Sequence, residues 1–222
     1  MKHGFFITGT DTGVGKTHVS IALLTAFNAQ GFSTAAMKPV ATGCDDTAQG
    51  FRNDDALALQ QHASLQLPYE QVNPYAFEPA IAPHLAAARA GQIIDLTRIK
   101  HKLDILSQGA DVVIVEGVGG WLVPLNHNAT IADLAHILKL PVILVVGTRL
   151  GCLNHALLSV KSIEHSGLPF ASWVANVIDP GMQCIEENIN ALRERIGAPW
   201  LGTIPWNSRV IPRELAQQLR IG

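Results

Sequence analysis

The sequence predicts an α/β protein built on a doubly wound, mostly parallel sheet with helices on both of its faces. Continuous β-branched runs such as Asp111–Val115 and Pro141–Val146 are typical of parallel strands that are covered on both faces. Longer amphipathic segments separate these runs, so strands and helices alternate along the chain. The 222 residues, of which 48% are hydrophobic and 15% charged, can bury a large core, and we expect a single domain over residues 1–222.

In the N-terminal half, strand-like and helix-like patterns follow one another in the order that such a sheet requires. Apolar residues recur at helical spacing from Lys16 to Gln30, and Gly31 marks the end of that helix. Residues Leu67–Pro83 hold four prolines, and we interpret them as a loop that crosses the surface. The other elements predicted here are strands at 4–8 and 32–37 and helices at 54–63, 85–90 and 96–108.

The C-terminal half continues the alternation without an internal repeat or a recognisable linker. The elements predicted here are strands at 111–115, 141–146, 171–178 and 200–204 and helices at 131–138, 154–166 and 182–196. The alternation of strands and helices implies right-handed βαβ crossovers and a mostly parallel sheet. Ligands of such sheets bind beyond the carboxyl ends of the strands, so functional residues are expected directly after them.

Composition narrows the classes of function. The formal net charge is −2 and no long basic run occurs, so a nucleic-acid partner is not expected. The first residues do not have the pattern of a signal peptide, and no apolar run reaches about 18 residues, so we expect a cytoplasmic protein with no membrane partner. Cys44, Cys152 and Cys184 contain no C-x-x-C pair, which disfavours a disulfide framework or a zinc site.

The strongest functional signal is the glycine-rich segment Gly9–Thr17, which lies between the first predicted strand and the first predicted helix. This is the context of a phosphate-binding loop of the P-loop NTPase type, in which backbone N–H groups attract the anion. The spacing departs from the common pattern, because Thr10 occupies the usual position of the first glycine. Lys16 is expected to reach the β- and γ-phosphates of ATP, and the Thr17 hydroxyl to ligate Mg²⁺. The residues expected to bind nucleotide here are Gly13, Val14, Gly15, Lys16, Thr17 and His18.

Carboxylates that could face the metal occur at two places. Glu116 follows the predicted strand at 111–115, and the glycine-rich residues Gly117, Val118 and Gly119 after it are expected to lie beside the nucleotide. The second place is Asp54–Asp55, where either side chain could face the metal and Asp54 could equally cap the following helix. Oxygen ligands of this kind suit Mg²⁺. The spacing alone does not choose between the two aspartates.

Lys38 lies at the carboxyl end of the second predicted strand, beside the phosphate loop of a doubly wound sheet. A lysine there could neutralise an anionic substrate or the charge on a transferring phosphoryl group, or it could be a solvated residue at a strand end. Thr42 follows closely and could line the same pocket. Trp121, after the glycines, is compatible with a pocket wall and with a core position.

Together these motifs resemble the dethiobiotin synthetase family. The resemblance rests on segments 9–17, 38–43 and 115–121, with further matches at 53–59, 73–75, 82–84, 141–147 and 150–155. It extends over nearly the whole chain up to Trp206. Gly13 stands where some members carry Glu, so a side-chain contact at that position is lost and the backbone cradle is kept.

The resemblance implies an enzyme that converts 7,8-diaminopelargonic acid, CO₂ and ATP into dethiobiotin, ADP and phosphate in biotin biosynthesis. A substrate carbamate attacks the γ-phosphate, and the resulting carbamic-phosphoric anhydride closes to the ureido ring. The resemblance assigns catalysis to Lys38 and Lys16. It also assigns Mg²⁺ ligation to Thr17, Asp55 and Glu116, which decides between the two aspartates.

Further binding residues are implied in the same way. Thr42 matches a contact to the substrate, as does Lys38. The nucleotide base is expected at Asn176, Val177, Pro205, Trp206 and Asn207. The resemblance also implies a homodimer in which the partner protomer holds the carboxylate tail of the substrate at a helix start, through Gly151, Cys152 and Asn154.

A P-loop switch ATPase of the chromosome-partitioning type is the alternative function. Such proteins share the parallel sheet and an unusual phosphate loop, but that loop carries an extra lysine where this chain has Asp11. A non-enzymatic nucleotide sensor is a second alternative. The motifs that contain Lys38 and Glu116 favour an enzyme over a nucleotide-sensing protein.

Overall fold

The computed structural model describes residues 3–206 and 211–221 of the chain. Its strands are β1 (His3–Gly9), β2 (Thr34–Met37), β3 (Val40–Thr42), β4 (Asp45–Thr47), β5 (Gly50–Arg52), β6 (Tyr75–Phe77), β7 (Val112–Gly120), β8 (Val142–Thr148), β9 (Phe170–Val177) and β10 (Trp200–Ile204). Its α-helices are α1 (Lys16–Ala29), α2 (Asp54–His62), α3 (Tyr69–Val72), α4 (Pro83–Arg89), α5 (Leu96–Leu106), α6 (Ile131–Leu138), α7 (Cys152–His165), α8 (Ile185–Arg193) and α9 (Pro212–Gln217). No helix within the described ranges is long and apolar enough to cross a bilayer.

The main sheet of the described chain has six strands in the order β10-β9-β8-β1-β7-β2, and every neighbouring pair is parallel. In the central strand β1, Phe6 pairs with Val115 of β7 and with Val142 of β8. The prediction of a parallel α/β sheet is therefore confirmed. Strands β1, β7 and β2 end side by side, so the segments that follow them meet at one edge of the sheet.

Helices cover both faces of this sheet, and alternate residues of each strand supply the two cores. Phe6 and Val115 belong to a core that is packed by α4, α5, α6, α7 and α8. Ile7 and Ile114 belong to the opposite core, which is packed by α1, α2 and α9. All four residues are fully buried, and each such side chain contributes roughly 1.5–3 kcal/mol through burial. Burial on both faces explains why the central strands are continuous apolar runs.

The interpretation of residues 67–83 as a surface loop is wrong. This segment contains α3 and β6, and Tyr69, Val72, Tyr75 and Phe77 are all buried. Strand β6 pairs in parallel with β3. The prolines flank these short elements and do not interrupt their hydrogen bonding. They therefore mark the ends of a helix and a strand that the proline-rich composition did not reveal.

The glycines after Val115 do not form the loop that the sequence suggested, because β7 continues through them to Gly120. Gly120 pairs with Gly9 at the end of β1. A Cβ on Gly117 would lie 3.3 Å from the ring of Phe6, and one on Gly120 would lie 3.5 Å from the Gly9 carbonyl oxygen. Glycine at 117 therefore leaves room for the Phe6 ring of the neighbouring strand β1, whereas a side chain at 120 would make only an ordinary contact. The hairpin of β4 and β5 and the helix α9 were not predicted from the sequence.

Candidate active site

The phosphate loop joins β1 to α1 and depends on glycine at Gly13 and Gly15, whose φ angles are 74° and 83°. Gly15 precedes the first residue of α1, and a Cβ on it would lie 2.0 Å from Nδ2 of Asn176. The start of α1 has no side-chain cap and no acidic residue in its first turn. The first N–H groups of the helix are thus available to an anion, which the helix dipole also favours.

Beside the loop lies a cluster of charged and hydroxyl groups with the buried side chains of Lys38 and Glu116 at its centre. Glu116 is completely buried, and its Oε1 accepts hydrogen bonds from Thr17 Oγ1 at 3.0 Å and from Lys38 Nζ at 2.5 Å. Its Oε2 accepts one from Ser20 Oγ at 2.8 Å. Lys38 Nζ also bonds Asp55 Oδ2 at 3.0 Å. One ammonium therefore joins the two carboxylates that were expected to face the metal.

The fold brings these residues together from distant parts of the sequence. Lys38 directly follows β2, Glu116 lies in β7, and Thr17 opens α1 after β1, so three adjacent strands supply them. Asp55 comes from the first turn of α2, whose N-terminus is capped by Asn53 through a bond from the Ala56 N–H. Of the two neighbouring aspartates, Asp55 reaches Lys38, whereas Asp54 is exposed.

A second set of hydrogen bonds fixes the backbone of Lys38. Its N–H donates to the Val72 carbonyl at 2.8 Å, and Asn73 Nδ2 donates to its carbonyl at 2.7 Å. Tyr69 donates its hydroxyl hydrogen to Asn73 Oδ1 at 2.9 Å and accepts from the Asn53 N–H at 2.8 Å. Tyr69 and Asn73 thus connect Lys38 to the start of α2. Reasoning from the sequence assigned neither residue a role, although 73–75 was among the segments that carry the family resemblance.

The charges of the cluster shift the pKa values of its members. Burial opposes the charged form of Lys38, but the attraction of Glu116 and Asp55 outweighs it and raises the pKa of Lys38 above its ordinary value. Burial likewise opposes ionisation of Asp55, yet Lys38 and the Thr17 hydroxyl hold the pKa of Asp55 below its usual range. Burial, with a smaller contribution from Lys38, lowers the pKa of Lys16 to about 8. Lys38 therefore stays positively charged in the folded chain. Burial disfavours the charged form of Lys16, so a bound anion would stabilise that charge.

The donor set at this place fits Mg²⁺. Thr17 offers a hydroxyl, and Asp55 and Glu116 offer carboxylates, which are hard oxygen ligands. No group of three or more His, Cys, Asp or Glu side chains within residues 3–206 and 211–221 could hold a metal by itself. A few protein oxygens completed by phosphate and water are the arrangement that Mg²⁺ takes at nucleotide sites.

A small pocket of about 180 Å³ opens on the other side of the loop. Asn176 lines it and donates from Nδ2 to the Val14 carbonyl at 2.8 Å, which ties the end of β9 to the phosphate loop. The pocket gathers most of the residues expected to hold the nucleotide base, and it is lined by Gly13, Gly15, His18, Asn176, Val177, Ile178, Ile204, Pro205, Trp206 and Leu215. The predicted contact at Asn207 lies outside the described residues.

Known proteins resemble this chain over almost all of its length. A family model described as an AAA domain matches residues 3–214. The ATP-dependent dethiobiotin synthetase of Pseudomonas aeruginosa (strain UCBPP-PA14) is 54% identical over 97% of this chain and 95% of that protein. Those of Cellvibrio japonicus and Xanthomonas campestris pv. campestris are 54% and 49% identical, over 92% and 98% of this chain and 90% and 97% of their own lengths. The chain belongs to the dethiobiotin synthetase family. It is therefore an enzyme of the cyclo-ligase class.

Solved structures of more distant proteins share the fold of this dethiobiotin synthetase family member. A ParA family ATPase from Chlorobium tepidum superposes with a TM-score of 0.59 at 16% identity, covering 99% of this chain and 91% of the other. The septum site-determining protein MinD from Pyrococcus horikoshii, solved with Mg-ADP, gives 0.57 at 17% identity, covering 99% and 87%. These likenesses show the P-loop α/β fold alone. The much higher identity to the synthetases favours that family over the switch-ATPase alternative.

The predicted substrate residues fall into two places. Thr42 ends β3, close in sequence to Lys38. Gly151, Cys152 and Asn154 lie at the start of α7, after β8, and β8 is on the opposite side of β1 from β7 and β2. Cys152 is buried and Asn154 is exposed. The structure therefore does not bring the α7 residues into the Lys38 cluster of the same chain.

The expectation for Glu116 needs correction, and one of the two positions that the sequence left open for Trp121 is decided. Glu116 does not follow a strand but lies within β7, where its side chain is fully buried. Trp121 belongs to the core, where its ring meets Phe6 edge-on at 6.5 Å between centroids. Ser20 was not considered from the sequence, although its hydroxyl bonds Glu116. Its position one helical turn after Lys16 and Thr17 is the signal that could have identified it.

Proposed function

We propose that this chain catalyses the ATP-dependent closure of 7,8-diaminopelargonic acid with CO₂ to dethiobiotin, releasing ADP and phosphate, as a step of biotin biosynthesis. The observation that carries the proposal is the cluster beside the phosphate loop in which the buried ammonium of Lys38 joins the buried carboxylate of Glu116 to the partly exposed carboxylate of Asp55. The identity of about half the residues to proteins named ATP-dependent dethiobiotin synthetases supports it.

The proposed nucleotide site consists of the phosphate loop and the pocket beside it. The glycines at Gly13 and Gly15 and the open start of α1 offer N–H groups to the phosphates. Lys16, whose pKa burial lowers to about 8, regains a partner for its charge when a phosphate binds. The base would occupy the pocket between Asn176 and Trp206, where the Asn176 amide fixes one edge of the pocket.

Thr17, Asp55 and Glu116 are proposed to hold Mg²⁺. When bound, this ion would neutralise charge on the β- and γ-phosphates. Ser20 and Thr17 orient the Glu116 carboxylate by bonding its two oxygens separately. The rest of the chemistry is assigned to side chains of the chain itself.

Lys38 is proposed to bind the substrate carbamate and the transferring phosphoryl group. Phosphoryl transfer needs positioning and neutralisation of charge, and a permanently charged ammonium held by two carboxylates supplies both. In the proposed sequence, the carbamate oxygen attacks the γ-phosphorus and ADP leaves. The second amine then attacks the carbamic carbon, and the C–O bond to phosphate breaks as the ureido ring forms. Thr42 is proposed to donate a hydrogen bond to the substrate.

Two further features are proposed for the assembly. We propose that residues 1–222 form one domain, because one sheet carries both cores of the described chain.

We also propose a homodimer in which the start of α7 serves the partner protomer. The exposed start of α7, where Leu150 is 91% exposed, supports this, as does its distance in the fold from the Lys38 cluster of its own chain. The helix N-terminus would attract the substrate carboxylate.

The proposal is tested by incubating the purified chain with 7,8-diaminopelargonic acid, bicarbonate and Mg·ATP. Dethiobiotin is measured by mass spectrometry while ADP is followed in parallel. We expect the two products to appear in equal amounts. ADP without dethiobiotin would leave a nucleotide hydrolase and would contradict the proposed substrate.

A further inference from the structure

Asp11 and Arg149 form an ion pair that joins the phosphate loop to the segment after β8. Arg149 Nη2 lies 2.6 Å from Asp11 Oδ2, and each side chain is a little under half exposed. The two residues are separated by 138 positions in the sequence. The proposed chemistry uses neither of them.

On the loop side, Asp11 is bonded at three atoms. Its Oδ1 accepts from the Thr12 N–H at 2.7 Å, so the carboxylate bridges the loop backbone and Arg149. Its carbonyl oxygen accepts from Lys16 Nζ at 3.0 Å. The position of Asp11 is therefore linked to the position of the lysine that is proposed to bind phosphate.

On the other side, Arg149 begins the segment that leads into α7. Its carbonyl accepts from the Cys152 N–H at 2.9 Å, and Gly151 adopts a left-handed conformation with a φ angle of 93°. This short turn sets the start of α7, the proposed site for the substrate carboxylate of the partner protomer. A shift of the Arg149 side chain would thus change contacts at both the phosphate loop and the start of α7.

We propose that the Asp11–Arg149 pair is a positioning contact that couples nucleotide binding in the phosphate loop to the start of α7. A nucleotide that draws Lys16 away from the Asp11 carbonyl alters the surroundings of Asp11, and Arg149 transmits the change to residues 150–154. The effect of this coupling on substrate binding rests on the proposed function, because the start of α7 is the site proposed to hold the substrate carboxylate of the partner protomer. Arg149 and Asp11 act as positioning residues in this scheme.

Hydrogen–deuterium exchange with and without Mg·ADP tests the coupling independently of turnover. In the wild type, Mg·ADP is expected to slow exchange of a peptide covering 149–156 by up to about fivefold, because coupling through a half-exposed ion pair is limited to about 1 kcal/mol. Asp11→Asn, which can still accept from the Thr12 N–H, and Arg149→Gln should each abolish this slowing. The double variant should resemble the singles, since both remove the same contact. Arg149→Lys should retain part of it.

Steady-state kinetics provide a second test of the coupling between Asp11 and Arg149. Each single variant should raise the KM for 7,8-diaminopelargonic acid by about threefold to tenfold, with kcat nearly unchanged. The reason is that the partly exposed pair positions the start of α7 but takes no part in the chemical step. Arg195→Gln, which breaks the exposed Arg195–Glu194 pair, is the matched control and should behave like the wild type.

The inference is overturned if Mg·ADP leaves exchange at 149–156 unchanged in the wild type, or if the single variants keep the slowing. It is also overturned if the effects of Asp11→Asn and Arg149→Gln multiply in the double variant. A wild type that binds Mg·ADP but makes no dethiobiotin would defeat the proposed function, and the exchange measurement would still decide the coupling.

Discussion

The two sides of the phosphate loop are built from different kinds of contact. Towards β7 and β2, Lys38 is bonded to both Glu116 and Asp55, and Lys38 and Glu116 are almost completely buried. Towards β9 and β10, the loop meets the amide of Asn176 and a small pocket that is lined in part by Trp206, which is 56% exposed. Fixed charges suit the transfer of a phosphoryl group, whereas a shaped pocket suits recognition of a base.

The difference also concerns what a substitution would cost. Removing one partner of a buried ion pair leaves an uncompensated charge and typically costs about 3–5 kcal/mol, so the Lys38 side combines chemistry with stability. The pocket side depends on close packing of backbone against an amide, so changes there should affect binding more than folding. Substitutions on each side of the loop should therefore have different effects on binding, turnover and stability.

Gly15→Ala should almost abolish nucleotide binding. The new methyl group would lie 2.0 Å from Asn176 Nδ2, at a φ angle of 83° that alanine adopts only under strain. We expect the Kd for Mg·ADP, measured by titration calorimetry, to rise by roughly a hundredfold or more, in line with loss of about 3 kcal/mol.

Gly31→Ala is the matched control for this substitution. Gly31 has a similar φ angle of 85°, but no atom lies within 4 Å of its added Cβ, and it sits at the far end of α1. This variant should lose some stability and bind Mg·ADP normally. Equal loss of binding in both variants would show that helix strain, not the contact with Asn176, is responsible.

Glu116→Gln should weaken the Lys38 side while leaving the base pocket intact. The substitution keeps the size of the side chain but removes the charge that Lys38, Thr17 and Ser20 surround. We expect turnover to fall by about a hundredfold at fixed Mg²⁺ and the Mg²⁺ requirement to rise, as for loss of one preorganised charge contact. The measurement is a Mg²⁺ titration of dethiobiotin formation.

Asp54→Asn serves as the control for that titration. Asp54 is an exposed neighbour of Asp55 and is not part of the cluster. Its variant should show the Mg²⁺ requirement of the wild type. An unchanged requirement in Glu116→Gln would remove Glu116 from the set of metal ligands.

Lys16 should impose a pH dependence on stability that is the smallest of these effects. Its pKa is about 8 in the folded chain and 10.5 ordinarily, so between these values the unfolded chain binds more protons. The cost of burying the charged amine is therefore complete below pH 8 and declines as pH rises. Lys16→Met should be more stable than the wild type at pH 7, and this advantage should shrink by about 1 kcal/mol by pH 9.

Urea unfolding of the two proteins at both pH values measures the difference. Lys161→Met, at an exposed position of α7, should show no such trend. A stability difference for Lys16→Met that does not vary between pH 7 and pH 9 would mean that the amine is not desolvated in the folded chain.

The sequence predicted the sheet, most of its helices and a site that contains Lys38, Thr17 and Glu116, because those signals are local. The family resemblance was needed to choose Asp55 over Asp54, and Ser20 was missed. Parallel strands buried on both faces are apolar runs, and residues at strand ends converge on one edge of the sheet. The buried elements within 67–83 were missed because prolines dominate the composition there while the packing of Tyr75 and Phe77 depends on distant residues. The role of Asn73 was missed for the same reason, since its partners are the backbone of Lys38 and the hydroxyl of Tyr69. Hydrogen bonds of this kind have no period or motif in the sequence.

The role of Lys38 is tested most directly by measuring Mg·ADP binding and dethiobiotin formation on one variant, Lys38→Gln, which can still bond the two carboxylates. We predict a Kd for Mg·ADP within about threefold of the wild type and a rate of dethiobiotin formation lower by at least about a hundredfold. Normal binding would itself show that the variant is folded. Dethiobiotin formation at close to the wild-type rate would contradict the assignment of the chemistry to the Lys38 side of the phosphate loop.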